Sequence, residues 1–168
     1  QQLAGFPNQL PCLLLCYLLL NRRYPQFRER LAAVFWGDYR LQAARKCLRN
    51  ALWRLRDSLE TIRFPVDDHL LLSEDGVSIV MPEGSWLDVE VFENSVTANQ
   101  HLSGHELSPF QATQLEASTA LYAGDLLESI YEDWCLYDRE RLRLMYLNAL
   151  TKLMVFHTAN RTYERGID

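Results

Sequence analysis

The sequence predicts a mainly α-helical protein with one small β-hairpin. Apolar residues recur at helical spacing in several segments, most regularly in residues 42–59 and 132–157. The dipeptide Asp75-Gly76 separates two short apolar runs, a pattern typical of a hairpin turn in which glycine supplies a positive φ. The 168 residues include only seven glycines and six prolines, so long structureless linkers are not expected.

The N-terminal part is predicted to form three helices in succession. Residues 10–20 form the first, and because this apolar run is too short to cross a bilayer it is interpreted as a buried core helix rather than a membrane segment. Residues 26–35 form the second, and residues 36–38 interrupt it before the third helix, residues 42–59. The second helix is expected to bury Phe27, Leu31, Val34 and Phe35.

The third helix carries two different faces. Its apolar stripe, which places the helix against a core, consists of Leu48, Leu52, Leu55 and Leu59. The opposite face is cationic and also offers an amide and an indole, which suits the donor and acceptor edges of a DNA major groove. The residues of this face are Arg45, Lys46, Arg49, Asn50, Trp53 and Arg54.

Two helices joined by a turn, with the basic helix second, are typical of a helix-turn-helix. The hairpin that follows adds a wing, so residues 1–84 are predicted to form a winged helix-turn-helix. Glu74 and Asp75 lie at the tip of this wing. Because carboxylates repel phosphate, the wing is expected to pack sideways or to face protein.

Residues 85–168 are predicted to form antiparallel helices like those of TPR domains, with a plain helical bundle as the alternative. Residues 86–98 form the first helix, with Leu87, Val91 and Phe92 turned inward. Gly124 is expected to be the C′ residue of the next, residues 110–122. A long helix follows over residues 132–157, and Tyr163 opens another. The inward stripe of the long helix is Trp134, Leu142, Met145, Ala149, Leu153 and Phe156.

Charge is distributed unevenly along the chain. Residues 1–63 contain eleven Lys and Arg against four Asp and Glu, a balance of +7, whereas residues 64–168 have a balance of −12. A basic N-terminal part neutralises phosphates, the largest sequence-independent source of DNA affinity. The acidic remainder is expected to stay in solvent or to contact another protein.

Signals for an enzyme are absent from the sequence. His101 and His105 lie in a Gly/Ser loop rather than on a helix, so no metal site is predicted, and no nucleotide-binding or nucleophile motif indicates a cofactor. The four cysteines form no CxxC pair, which favours free thiols in a reducing compartment and a cytoplasmic location.

Several segments, taken in order, resemble one family. The N-terminal ones are Leu14-Leu15-Cys16-Tyr17-Leu18, Arg28-Glu29-Arg30-Leu31-Ala32, Phe35-Trp36-Gly37-Asp38 and Leu48-Arg49-Asn50-Ala51-Leu52-Trp53-Arg54-Leu55-Arg56. The C-terminal ones are Trp86-Leu87-Asp88-Val89, Leu121-Tyr122-Ala123-Gly124-Asp125-Leu126-Leu127 and Glu140-Arg141-Leu142-Arg143. Together they resemble bacterial transcriptional activators of the antibiotic-regulatory (SARP-like) type, in which an OmpR-type winged helix precedes a TPR-like bacterial transcriptional activator domain.

The resemblance implies a transcriptional activator that binds double-stranded DNA and contacts RNA polymerase. The loop that meets the polymerase in OmpR-type domains corresponds here to Asp38, Tyr39 and Arg40. A homodimer is a further candidate partner. The chain departs from the family in three ways. Most of the usual N-terminal β-sheet is missing, and Leu10 and Cys12 stand where basic residues are common. The TPR-like domain of the family is normally longer, so residues 85–168 are expected to be only its first part.

Specific roles follow from side-chain chemistry. Arg49 and Asn50 are the candidates for base contacts, since Arg forks onto guanine and Asn onto adenine. Trp53 either contacts a sugar or a thymine methyl, or packs against the wing. The cations expected to hold phosphates are Lys46, Arg45, Arg54, Arg22, Arg23 and Arg28. The alternative function is a non-enzymatic adaptor whose winged helix contacts protein.

Overall fold

The computed structural model describes residues 9–160, and within this range the chain divides into two compact units between Ser85 and Trp86. The described residues are mainly helical, as predicted, and the predicted hairpin of β2 and β3 is part of one three-stranded antiparallel sheet. Unit 1 contains α1 (Gln9–Leu20), β1 (Gln26–Phe27), α2 (Arg28–Trp36), α3 (Leu41–Thr61), α4 (Val66–His69), β2 (Leu70–Leu72) and β3 (Gly76–Ile79). Unit 2 contains α5 (Asp88–Ala98), a 3₁₀ turn (Gly104–Glu106), α6 (Pro109–Thr119) and α7 (Asp133–Ala159).

The core of unit 1 lies between α1, α2 and α3. Tyr17 of α1 and Phe35 of α2 meet edge to face, with their ring centroids 5.6 Å apart. The predicted apolar stripe of α3 is buried in full, so this helix is fixed against the core along one side. The other fully buried side chains of this core include Leu14, Leu18, Leu31, Leu70 and Val77.

The sheet of unit 1 has the strand order β1-β3-β2, and its third strand, β1, was not predicted. Gln26 pairs with Val77, and Phe27 pairs with Gly76. Because these two residues are extended to pair with β3, α2 begins at Arg28 instead of residue 26. The expectation that Phe27 is buried in a helix is therefore wrong, and its side chain is 66% exposed.

The turn between β2 and β3 differs from the expected glycine turn. Gly76 does not have a positive φ; it is the first residue of β3. The Ser73 hydroxyl accepts a hydrogen bond from the Gly76 amide at 2.9 Å, and the Ser73 amide donates to the Gly76 carbonyl at 2.9 Å. A serine side chain thus closes the turn, so the backbone does not need a left-handed residue there.

Unit 2 packs α5, α6 and the 3₁₀ turn against α7. Ala149, which was predicted to lie in the inward stripe of this helix, is buried. The backbone of the 3₁₀ turn also approaches α7 closely at Gly104. A Cβ atom at this position would lie 2.5 Å from the Cβ atom of Val155. The buried core of this unit comprises Leu107, Ala112, Leu115, Ala149, Leu153 and Phe156.

Two predictions for unit 2 are wrong. Val91 is exposed, and Glu93 is buried beside Phe92 instead, because Arg141 pairs with its carboxylate at 2.7 Å. Gly124 is not a C′ residue, because α6 ends at Thr119 with Ala120 as its C-cap in the right-handed conformation. Tyr163 and the helix predicted to begin there lie outside the described residues.

Within residues 9–160, no helix combines the length and the apolar character that crossing a membrane requires.

Candidate nucleic-acid interface

The candidate interface is the cationic face of α3, defined as Arg45, Lys46, Arg49, Asn50, Trp53 and Arg54. All six side chains are exposed, whereas Leu48, Leu52 and Leu55 between them are buried. The alternation follows the 3.6-residue period, so burial of the stripe forces the polar residues outward. Lys46, Asn50 and Trp53 follow each other at i, i+4 and i+7 and form the line farthest from the core.

Trp53 is 66% exposed, so its indole does not pack against the wing. A tryptophan packed against the sheet would be largely buried, since its indole has a large apolar area. The indole instead projects from the same face as Lys46 and Asn50. This placement makes its ring available for contact with a sugar, a thymine methyl group or an apolar protein partner.

A groove of about 630 Å³ lies on one side of the cationic face. Its walls are α3, the start of α2 and the turn between β2 and β3. Arg45 and Arg49 enter it from α3, and Glu74 and Asp75, here called the acidic turn, enter it from the opposite wall. The remaining lining residues are Phe27, Arg28, Glu29 and Leu48.

A smaller cavity of about 190 Å³ lies on the other side of the cationic face. Asn50, Arg54 and Cys47 line it from α3, and Trp36 lines it from the end of α2. Arg49 and Asn50 therefore point toward different sides of the helix, Arg49 to the groove and Asn50 to this cavity.

Ion pairs reduce the number of free cations on α3. Arg45 pairs with Glu29 across the groove. Farther along the helix, Arg56 pairs with Asp67 and, at 2.9 Å, with Glu60. Hydrogen bonds to these two carboxylates raise the pKa of Arg56, and the bond to Asp67 contributes the most. The cationic face accordingly ends at Arg54.

The three arginines predicted to contact phosphates from outside α3 are placed differently. Arg23 is exposed, whereas Arg22 and Arg28 are half-buried. Arg22 donates to the Leu19 carbonyl at 3.0 Å, and Arg28 donates through Nε to the Ser73 carbonyl at 2.9 Å. Arg28 therefore holds the acidic turn against α2, a structural role that its sequence position did not reveal.

The loop between α2 and α3 is exposed at all three residues expected to contact RNA polymerase, namely Asp38, Tyr39 and Arg40. Gly37 precedes them, and a Cβ atom there would lie 2.9 Å from the Ala33 carbonyl oxygen. The backbone of the loop follows α2 closely as a result, and the side chains project outward.

Glu29 is the residue of this interface that the sequence analysis missed. It is sixteen positions from Arg45 and on a different helix. An acidic residue in the first turn of a helix has an ordinary explanation in the helix dipole, so nothing local marked it as a partner of the cationic face.

Histidine, cysteine and carboxylate side chains do not form a metal-binding cluster in the described part of the chain. No group of three or more His, Cys, Asp or Glu side chains there could hold a metal ion. His101 and His105 are exposed, and all four cysteines are free thiols. The neighbouring Ser103 and Glu106 form a capping box around the 3₁₀ turn, which accounts for this loop structurally.

Comparison with known proteins finds no match to the chain among family models, curated proteins or solved structures.

Proposed function

We propose that this protein is a DNA-binding transcriptional regulator in which unit 1 is a winged helix-turn-helix and α3 enters the major groove. The observation that carries the proposal is the exposed cationic face of α3 on a helix whose opposite stripe is buried. A recognition helix needs both properties, a fixed position and outward donors. The short loop from α2 and the strands that follow α3 are consistent with this fold.

Base reading is assigned to Arg49 and Asn50, and phosphate contact to Lys46, Arg54 and the exposed Arg23. Arg45 is already paired with Glu29, so it serves DNA only when that ion pair opens. Arg22 and Arg28 donate to backbone carbonyls of the fold and are secondary candidates for phosphate contact.

The proposal is more specific in one respect, namely that the protein activates transcription. This part rests on the resemblance to antibiotic-regulatory activators. Asp38, Tyr39 and Arg40 are the proposed polymerase contact, which their exposure permits. Unit 2 is proposed to belong to a TPR-like activator domain. Its helices α5, α6 and α7 and their shared core support a helical repeat architecture.

A protein-binding adaptor is the second candidate, and one observation favours it. Glu74 and Asp75 line the groove directly beside the cationic face, where they would repel phosphate. An acidic turn next to the ion pair of Arg45 and Glu29 is suited to a mixed-charge protein surface. The two functions differ in their dependence on salt, because only phosphate-driven binding weakens log-linearly over a wide salt range.

The test is selection of bound fragments from sheared genomic DNA, followed by affinity measurements on the enriched sequence. Arg49→Ala is expected to weaken binding and to relax preference at one base pair by about 1–3 kcal/mol. Lys46→Ala is expected to weaken binding to all sequences and to reduce the salt slope by about one.

The matched control is Arg143→Ala, which removes the same charge from an exposed position in unit 2. It should leave the affinity and the selected sequence unchanged. Recovery of fragments without any shared sequence, equal for the natural chain and for Arg49→Ala, would contradict DNA reading by α3 and favour the adaptor.

A further inference from the structure

The outward face of α7 carries an apolar stripe that the described core does not use. This helix spans 27 residues, Asp133–Ala159, and its inward face is buried in the core of unit 2. The opposite face presents large apolar side chains that are between 49% and 73% exposed. They are Tyr137, Leu144, Leu147 and Met154.

The stripe has the spacing of a coiled-coil seam. Tyr137 and Leu144 are seven residues apart, as are Leu147 and Met154, and steps of three and four residues alternate along the face. This repeat keeps one edge of a helix in contact with a second helix over several turns. The polar members of the same repeat, all exposed, are Asp133, Glu140, Thr151 and Thr158.

The stripe is self-complementary when its direction is reversed. Consider a second α7 that runs antiparallel to the first, with Leu144 opposite Leu147. Tyr137 then lies opposite Met154, so its aromatic ring contacts a thioether. The same alignment places Glu140 opposite Thr151 and Asp133 opposite Thr158. Every apolar residue then faces an apolar one, and no two like charges face each other.

A parallel arrangement lacks this complementarity. Each position would then face its own copy, so that Glu140 would meet Glu140 in the centre of the seam, where like charges are destabilising. Avoidance of like-charge contacts therefore selects the direction of the partner helix.

We propose that the outward face of α7 binds a second copy of this chain, through an antiparallel two-helix seam centred on Leu144 and Leu147. The contact is isologous, because the same surface of both copies forms it, and the assembly closes as a dimer. Self-association through α7 is separate from DNA binding by α3 and is measured without DNA.

The first experiment is sedimentation equilibrium of the full chain over a range of protein concentrations. The natural chain is expected to reach twice its 19.6 kDa mass. Leu144→Glu with Leu147→Glu should raise the dimer dissociation constant by at least about 100-fold, since it places four carboxylates in the apolar centre of the dimer. Phe110→Glu, at an exposed position on α6, is the matched control and should not change the constant.

Substitution of Thr151 tests the direction of the partner helix. In the antiparallel seam this residue faces Glu140, so Thr151→Lys should tighten the dimer about two- to fivefold, and Thr151→Glu should weaken it by a similar factor. In a parallel seam Thr151 faces its own copy, and both variants would weaken the dimer.

Three results would overturn the proposal. A chain that stays monomeric at all concentrations would show that another partner covers the face. A dimer that the Leu144→Glu/Leu147→Glu variant leaves intact would place the contact elsewhere. Weakening by both Thr151 variants would contradict the antiparallel direction. Circular dichroism of each variant confirms that α7 stays folded, because the substituted side chains are exposed in the single chain.

Discussion

The guanidinium of Arg28 donates a hydrogen bond of 2.9 Å from Nε to the carbonyl oxygen of Ser73, 45 residues later in the chain. The backbone amide of Arg28 also donates to the Asp75 carbonyl at 2.9 Å. One residue at the start of α2 thus fixes both sides of the turn between β2 and β3. The acidic turn faces the cationic face of α3 because of this contact.

Arg28→Ala should destabilise unit 1. The substitution removes a charged donor from the Ser73 carbonyl, and an exposed hydrogen bond of this kind contributes about 1 kcal/mol. Urea unfolding followed by circular dichroism measures the change in the free energy of unfolding. Arg23→Ala, which removes an exposed guanidinium nearby, is the control and should change that free energy by less than about 0.5 kcal/mol. Equal stability of both variants would contradict the structural role assigned to Arg28.

The long helices could be predicted from the sequence because their signals are local and repeated. The α3 stripe gives four buried leucines at helical spacing, and each of them is buried in the structure. The exposed cationic face follows from the same period. A pattern that repeats over about three turns specifies both the element and the orientation of its faces.

Short and non-local features could not be predicted in this way. Strand β1 has two residues, too few for an alternating pattern, and it exists because Gln26 and Phe27 pair with β3 about 50 positions later. The exposure of Val91 has a similar origin, since burial of Glu93 depends on Arg141 of another helix. Pairing partners distant in sequence determine these positions, and local propensity does not.

Gly104→Ala should destabilise unit 2 by about 1–3 kcal/mol, the usual cost of overpacking. The added methyl group would lie 2.5 Å from the Val155 Cβ atom and would also meet the Lys152 carbonyl oxygen, and both belong to the rigid helix α7. Differential scanning calorimetry of the full chain measures the loss.

Gly124→Ala is the control for this prediction. The closest atom to its added methyl group is Glu128 Oε1 at 2.9 Å, the end of a flexible side chain that can move away. A Gly104→Ala variant as stable as Gly124→Ala would show that the 3₁₀ turn does not pack tightly on α7.

Tyr122 should make the protein sensitive to alkaline pH. Burial is the main cause that raises the pKa of Tyr122 from 10.0 to about 12, and a hydrogen bond of 2.8 Å to Asp125 is the second. Between these two values the folded chain keeps a proton that the unfolded chain has lost, so stability is retained below pH 10 and falls as the pH rises toward 12. Urea unfolding at a series of pH values measures this slope.

Tyr122→Phe isolates the contribution of this hydroxyl, because it retains the ring that stacks on Tyr146 at a centroid distance of 4.3 Å. The variant should be less stable at neutral pH and should lose less stability between pH 10 and 12. The same slope in both proteins would assign the alkaline effect to other tyrosines.

Neutralising the acidic turn should strengthen DNA binding. Glu74 and Asp75 share the groove with Arg45 and Arg49, so their carboxylates lower the positive potential that phosphates meet there. Glu74→Gln with Asp75→Asn preserves side-chain size and leaves the backbone contact between Asp75 and Arg28 in place. The DNA affinity should rise about three- to tenfold at low salt, in line with two surface charge interactions.

Salt dependence distinguishes this electrostatic effect from a change in structure. The gain should shrink as salt is added, because exposed charges are screened beyond about 10 Å at 0.1 M. Glu83→Gln, which removes an exposed carboxylate outside the groove lining, is the matched control and should give a much smaller gain. If the double variant instead bound DNA more weakly, the acidic turn would have to make a favourable contact in the complex. Its carboxylates would then accept hydrogen bonds from DNA bases, since a carboxylate accepts well from the amino group of cytosine.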